Sequence, residues 1–165
     1  MKKFVLLTGF IFTAFFGFGQ IDTADNYIKG FTSLPAFSIN LVPDSSYYTN
    51  ANLQKNKPVM MMFFSPDCDH CQKQVKDILA YRKDLKDLQI IMISVLPNKF
   101  NRPFFDEYQL AAFPNIKLGT DLTYKLRQLY QVKTLPAMYV YDLNGNLAKA
   151  FIGNINIPAI IDAVK

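Results

Sequence analysis

The chain has 165 residues, a net charge of +5 and hydrophobic residues at 50% of its positions. This composition argues against intrinsic disorder and is enough for one domain with its own hydrophobic core. The charge is too small to indicate a nucleic-acid-binding protein, and the charged residues of the central region alternate in sign, as they do on a solvated helix face.

The N-terminus has the pattern of a secretory signal peptide. Two lysines precede an apolar run from Phe4 to Phe18, and Gly17 and Gly19 are the small residues at positions −3 and −1 of a cleavage site. The run of about fifteen residues is shorter than the roughly 20 that a membrane-spanning helix needs. We therefore predict that residues 1–19 are a cleavable signal peptide and that the protein is periplasmic or otherwise exported.

The first part of the mature chain is predicted from its polar and apolar pattern. Residues 20–34 are mixed in character and form a leading segment, and one domain is predicted over residues 35–165. Residues 35–41 alternate between apolar and polar from Phe37 onwards, as in an edge strand. Residues 43–56 are polar and rich in turn-forming residues, which predicts a loop.

A strand, a helix and a second strand follow. The continuous apolar run at residues 58–64 is too short for a helix and suits a central strand buried on both faces. After Pro66, apolar side chains recur every three or four residues, which predicts an amphipathic helix of about five turns that starts near Cys68 or Asp69. Residues 89–95 are a second buried strand, so the three elements form a parallel strand–helix–strand unit.

The remaining elements are shorter. Asn144-Gly145 is a typical two-residue hairpin turn, and Pro158 suits the first turn of a helix. In chain order the pattern predicts a loop framed by Pro97 and Pro103, a helix over residues 104–112, a strand at 116–118, a helix over 122–132, strands at 137–141 and 148–152, and a helix from Pro158 to Val164.

Cys68 and Cys71 are the only cysteines, and they lie where a buried strand passes into the long helix. There the first sulfur faces the unpaired N–H groups and the positive end of the helix dipole. Both effects favour the thiolate, so Cys68 can attack a disulfide as the nucleophile and Cys71 can resolve the mixed disulfide. The short loop would be a weak structural staple, and two cysteines with one histidine cannot complete a closed zinc site. We predict a redox pair without metal or cofactor.

Three polar neighbours are predicted to modulate this pair. A cationic imidazole at His70 would stabilise a thiolate on Cys68, whereas Asp67 and Asp69 would oppose it by like charge. Asp69 can equally be an acid that interacts with the helix dipole, and His70 can equally be an ordinary surface residue. These opposing charges leave the direction of electron flow open.

Two segments carry a resemblance to a known family. The stretch Ser65–Cys71, and the stretch Thr134–Leu147 in which a Leu-Pro precedes a strand and an Asp-x-x-Gly turn, resemble the thioredoxin-like superfamily and, within it, the exported TlpA/ResA-like thiol-disulfide oxidoreductases. The resemblance covers residues 34–165. It implies an α/β three-layer sandwich with a central mixed β-sheet, helices on both faces, and an added strand and helix near residues 104–118.

The resemblance also implies functional roles. Pro136 would be a cis-proline that lies against the disulfide, and the backbone of Leu135 would pair with an extended substrate peptide. An ordinary trans proline at the start of a strand is the alternative for Pro136. The implied partners are disulfide- or thiol-containing exported proteins and a membrane thiol electron donor.

The chain departs from the family pattern at two places, and two other functions remain open. No Trp precedes Cys68, and Met62 stands where the family has a buried carboxylate that helps to deprotonate the second cysteine. A peroxiredoxin-like peroxidase would place Ser65 three residues before its reactive cysteine, but Met61 occupies the position of that family's proline. A non-enzymatic exported binding module is the other alternative, although the cysteine spacing and distant histidine of Sco-type proteins are missing. We expect a periplasmic thiol-disulfide oxidoreductase.

Overall fold

The computed structural model describes residues 32–165. The predicted signal peptide at residues 1–19 and most of the leading segment lie outside the described residues. In the described part of the chain, no helix combines the length and the apolar character that crossing a membrane requires.

The core of the fold is one mixed β-sheet. Its strands pair in the spatial order β2-β1-β5-β4-β3-β6-β7, in which β3, β4 and β5 are parallel neighbours and the other pairs are antiparallel. The strands are β1 (Ser38–Leu41), β2 (Tyr47–Thr49), β3 (Val59–Phe63), β4 (Gln89–Ser94), β5 (Ile116–Thr120), β6 (Ala137–Tyr141) and β7 (Leu147–Ile152).

Helices cover both faces of this sheet. They are α1 (Asp69–Ala80), α2 (Asn98–Glu107), α3 (Lys125–Leu129) and α4 (Ile157–Ala163). Side chains alternate along β3, so that Met62 packs in one core with α1, α2 and α4, whereas Met61 and Phe63 pack in a second core with α3. The three-layer sandwich is thereby confirmed, and α2 with β5 forms the added helix and strand between β4 and β6.

The long helix is shorter than predicted. It starts at Asp69 as expected but ends at Ala80 after 12 residues, about three turns instead of five. The following residues form successive turns, in which the Leu85 N–H donates to the carbonyl of Tyr81. Leu85 and Leu88 are nevertheless 2% exposed. Their apolar spacing therefore reflects burial in the core, although the helix has already ended at Ala80.

The region around Pro103 is helical, which corrects the predicted loop. α2 runs through this proline from Asn98, and a separate 3₁₀ turn follows at residues 110–112. Pro103 has no N–H to donate to the carbonyl one turn earlier. The buried Asn101 anchors the helix instead, because its Nδ2 donates to the carbonyl of Leu96 at 2.6 Å and to Oγ1 of Thr120 at 3.2 Å.

Two further predictions are corrected at the far edge of the sheet. The strand predicted as an edge, β1, pairs on its outer side with β2, which lies in the segment predicted as a loop. β2 has three residues, of which Tyr48 is buried near Phe37. The helix predicted over residues 122–132 is only the five residues of α3.

The hairpin between β6 and β7 has a three-residue loop where two residues were predicted. The Gly145 N–H donates to the carbonyl of Asp142 at 3.0 Å, so Leu143 and Asn144 are the central residues of the turn. Gly145 follows with φ of +79°, the left-handed conformation that glycine adopts without steric cost.

Candidate active site

Cys68 and Cys71 form a disulfide at the start of α1. Cys68 is the N-cap residue of the helix and has an extended backbone, because the chain turns there from β3 into α1. Cys71 is fully buried, whereas Cys68 is partly exposed. Only the sulfur of Cys68 can therefore be approached from solvent, which fits the predicted division between nucleophile and resolving cysteine.

The start of α1 favours negative charge on the sulfur of Cys68. The backbone N–H of Cys71 donates to Sγ of Cys68 at 3.2 Å, so one of the unpaired donors of the helix start points at this sulfur. The same sulfur lies 4.0 Å from the carbonyl oxygen of Leu135. The helix end supplies a stabilising partial positive charge, which favours the thiolate in the reduced protein.

Pro136 lies in the loop that faces the disulfide. The Leu135–Pro136 peptide bond is cis, Pro136 is buried, and β6 begins at the next residue. Leu135 is partly buried and packs against both cores. The structure thus brings the Leu135 carbonyl, next to Pro136 in the chain, to Cys68 across 67 residues of sequence. The pairing of the Leu135 backbone with a substrate stays a prediction.

The three predicted modulating residues are all exposed, but they differ in their contacts. The side chains of Asp67 and Asp69 have no hydrogen-bond or ion-pair partner within residues 32–165. His70 turns to the loop between β7 and α4, where its Nδ1 lies 2.9 Å from Oδ1 of Asn154. This partner of His70 was not predicted from the sequence.

The loop that follows β7 touches both halves of the site, and we call its residues Gly153, Asn154 and Ile155 the brace segment. The Gly153 N–H donates to the carbonyl of Pro136 at 2.8 Å. Asn154 Nδ2 donates to the backbone carbonyl of His70 at 2.6 Å. The brace segment therefore connects the proline loop to the first turns of α1.

Gln74 is a second residue that the sequence analysis missed. Its side chain is fully buried; Oε1 accepts the N–H of Ile155 at 2.9 Å, and Nε2 donates to the carbonyl of the same residue at 3.2 Å. A glutamine among the buried positions of α1 is the signal that could have revealed it, because a buried polar side chain requires hydrogen-bond partners.

Methionines line the core beneath Cys71. Met62 on β3 lies in register between Met92 on β4 and Met138 on β6, and all three belong to the core that contains Cys71. Asp121, at the end of β5, is the one buried carboxylate of the described residues, and it accepts the N–H groups of Leu126 and Arg127. Three thioethers therefore lie in the core with the resolving cysteine, and Met62 stands where the resemblance predicts an acid.

No metal centre is found among the described residues, since none of their His, Cys, Asp and Glu side chains form a group of three or more that could hold an ion.

Comparison with known proteins places the fold. A model of the thioredoxin-like domain family matches residues 49–165. No curated protein matches the chain in sequence.

Solved structures of similar fold include a thiol-disulfide oxidoreductase from Bacteroides fragilis (TM-score 0.65, 16% identity, covering 79% of this chain and 97% of the other). The exposed lipoprotein thioredoxin of Streptococcus pneumoniae is similar as well (TM-score 0.60, 23% identity, 78% and 96%), as is StoA from Bacillus subtilis (0.58, 14%, 80% and 98%). At these identities the likeness shows a shared fold.

The family model covers most of the chain, and the matched residues include the cysteine pair and the cis Leu-Pro. The predicted resemblance is confirmed, and it supports the predicted enzyme class, an oxidoreductase. The chain belongs to the thioredoxin-like domain family.

Proposed function

We propose that this protein is a thiol-disulfide oxidoreductase that exchanges disulfides of exported proteins through Cys68 and Cys71. The observation that carries the proposal is the position of the pair. A partly exposed Cys68 sulfur receives the N–H of Cys71 at the start of α1 and lies against Leu135, whereas the second cysteine is buried. This arrangement activates one sulfur for attack and reserves the other for resolution.

The reaction in the reducing direction starts from the dithiol form. The Cys68 thiolate attacks one sulfur of a substrate disulfide, so a bond forms between Cys68 and the substrate while the other substrate sulfur leaves as a thiolate and takes up a proton. The Cys71 thiol then loses its proton to solvent, and its thiolate attacks Cys68. The Cys68–Cys71 disulfide forms as the bond between Cys68 and the substrate breaks, and the second substrate sulfur leaves as a thiolate and takes up a proton from solvent. The substrate has then gained two electrons and two protons, and the protein dithiol has been oxidised to the disulfide.

The substrate side of the proposal rests on Leu135 and Pro136. An extended peptide that approaches Cys68 meets the backbone of Leu135, because the carbonyl of this residue lies 4.0 Å from the sulfur. We propose that Leu135 pairs with the substrate backbone and that Pro136 shapes the groove beside the disulfide.

The compartment follows from the N-terminal pattern. We propose that residues 1–19 are removed on export and that the domain over residues 35–165 works in the periplasm. Disulfides persist in such an oxidising compartment, so a reductant there needs a supply of electrons, for which we propose a membrane thiol donor. N-terminal sequencing of the exported protein should give Gln20 as the first residue.

Insulin reduction by dithiothreitol tests the proposed activity. We expect the wild-type protein to accelerate the reaction and Cys68→Ser to abolish the acceleration, while Cys71→Ser should accumulate mixed disulfides on Cys68. Equal rates for wild type and Cys68→Ser would refute the proposal. Peroxide consumption above the Cys68→Ser background, with no effect on insulin, would assign the pair to a peroxidase instead.

A further inference from the structure

The hydrogen bonds of Asn154 fix the position of a proton on His70. The backbone carbonyl of His70 can only accept, so the amide atom that lies 2.6 Å from it is the NH₂ group of Asn154. The other amide atom, Oδ1, can also only accept, and it faces Nδ1 of His70 at 2.9 Å. Nδ1 therefore carries the proton.

This proton position limits what His70 can offer to the disulfide pair. In the neutral imidazole with hydrogen on Nδ1, the remaining nitrogen Nε2 holds a lone pair and cannot donate to a thiolate. The ring forms no hydrogen bond to either sulfur in the described part of the chain. Asn154 Oδ1 thus accepts the imidazole N–H of His70 and holds the ring at the brace segment.

Without this contact, His70 could reach Cys68. The two residues are two positions apart, and Cys68 has an extended backbone before the helix begins, so the ring and the sulfur lie on the same turn of chain. The other charged side chains of this turn, Asp67 and Asp69, are acids and cannot donate to a thiolate. Lys73, one turn further on, is paired with Asp77 at 2.7 Å.

We propose that Asn154 is a positioning residue that keeps the Cys68–Cys71 pair reducing by withholding the imidazole of His70 from the Cys68 thiolate. A hydrogen bond or a cation that reaches the thiolate stabilises the reduced form and makes a disulfide more oxidising. By preventing that contact, Asn154 favours the disulfide form. The inference rests on the proposed function and concerns how strongly the pair reduces a substrate.

The equilibrium with glutathione measures this effect. Two glutathione molecules reduce the disulfide to the Cys68 and Cys71 thiols and form one oxidised glutathione. We expect Asn154→Ala to shift this equilibrium toward the reduced protein by about tenfold, equivalent to a rise of about 30 mV in reduction potential.

A double-mutant cycle separates a path through His70 from a general disturbance of the fold. Because the effect of Asn154 acts through the imidazole, Asn154→Ala should have no effect on the equilibrium in a His70→Gln background. The matched control is Asn156→Ala, which removes another asparagine two residues later that accepts the N–H of Ala159 at the start of α4. This control should lower stability without changing the reduction potential.

Two outcomes of the cycle would overturn the inference. One is a change of less than about twofold for Asn154→Ala, or a change toward a more reducing pair, because an imidazole released to the Cys68 thiolate must stabilise the reduced form. The other is an equal shift with and without His70. If instead the wild-type pair does not equilibrate with glutathione and does not reduce insulin, the proposed function itself is wrong.

A measurement on the wild-type protein tests the first step without any variant. His70 is the single histidine of the sequence, so a protein without an affinity tag has one pair of imidazole nitrogen signals. Long-range ¹H–¹⁵N NMR of the neutral imidazole should show hydrogen on Nδ1. Hydrogen on Nε2 would refute the inference even if Asn154→Ala did not fold.

Discussion

Replacement of Gln74 by alanine tests how strongly the brace segment holds α1. The side chain is fully buried and forms two hydrogen bonds to the backbone of Ile155, at 2.9 and 3.2 Å. Each such bond contributes about 1 kcal/mol net, and loss of the buried methylene adds about 0.8 kcal/mol. We expect Gln74→Ala to lower the free energy of unfolding by about 2–3 kcal/mol.

Urea denaturation of the oxidised protein at pH 7 is the assay, with Gln72→Ala as the matched control. Gln72 lies on the same helix, is half-buried, and donates one hydrogen bond, from Nε2 to the carbonyl of Pro66 at 2.8 Å. Its loss should cost about 1 kcal/mol or less. Equal losses for the two variants would show that burial and the two bonds to Ile155 add nothing, and would refute the reasoning.

Three further predictions concern stability. Burial raises the pKa of Tyr130 and of Tyr141, the latter to about 12. The contribution of the two phenols to the free energy of unfolding should therefore be complete below about pH 10 and be lost as the pH rises toward 12. Between pH 8 and pH 11, urea titrations should show a smaller decrease in this free energy for Tyr141→Phe than for wild type. Asp121→Ala removes the acceptor of the Leu126 and Arg127 N–H groups and should cost about 1–3 kcal/mol in urea, whereas a loss below 0.5 kcal/mol would contradict the capping role. Gly145→Ala should cost about 1 kcal/mol because of the positive φ, and an unchanged thermal midpoint would argue against that strain.

The two central strands could be predicted from sequence because each is a continuous run of mostly apolar residues, as expected for a strand buried on both faces. β3 is apolar throughout, β4 is apolar in its four central residues, and both lie between neighbouring strands on both sides. The end of α1 could not be predicted, since Leu85 continues the apolar spacing although the chain there is already in turns. β2 was missed because it has only three residues and one buried side chain.

The candidate site also has a part that could be predicted from sequence and a part that could not. Cys68 and Cys71 were found because their spacing and their place between a strand and a helix are local features. Asn154 was missed because its contacts are not local, since the partner His70 lies 84 residues earlier in the chain. Its neighbours in sequence give no sign of that contact, which only the assembled sheet creates.

The brace segment also has a consequence for a chain that is made from its N-terminus. The two thiols emerge well before Leu135, which lies 67 residues after Cys68, and before Asn154, which follows His70 by 84 residues. A nascent chain therefore carries an unprotected Cys-x-x-Cys during much of its synthesis. Until β7 has paired and the brace segment has docked, those thiols have the reactivity of a flexible peptide and none of the selectivity of the folded protein.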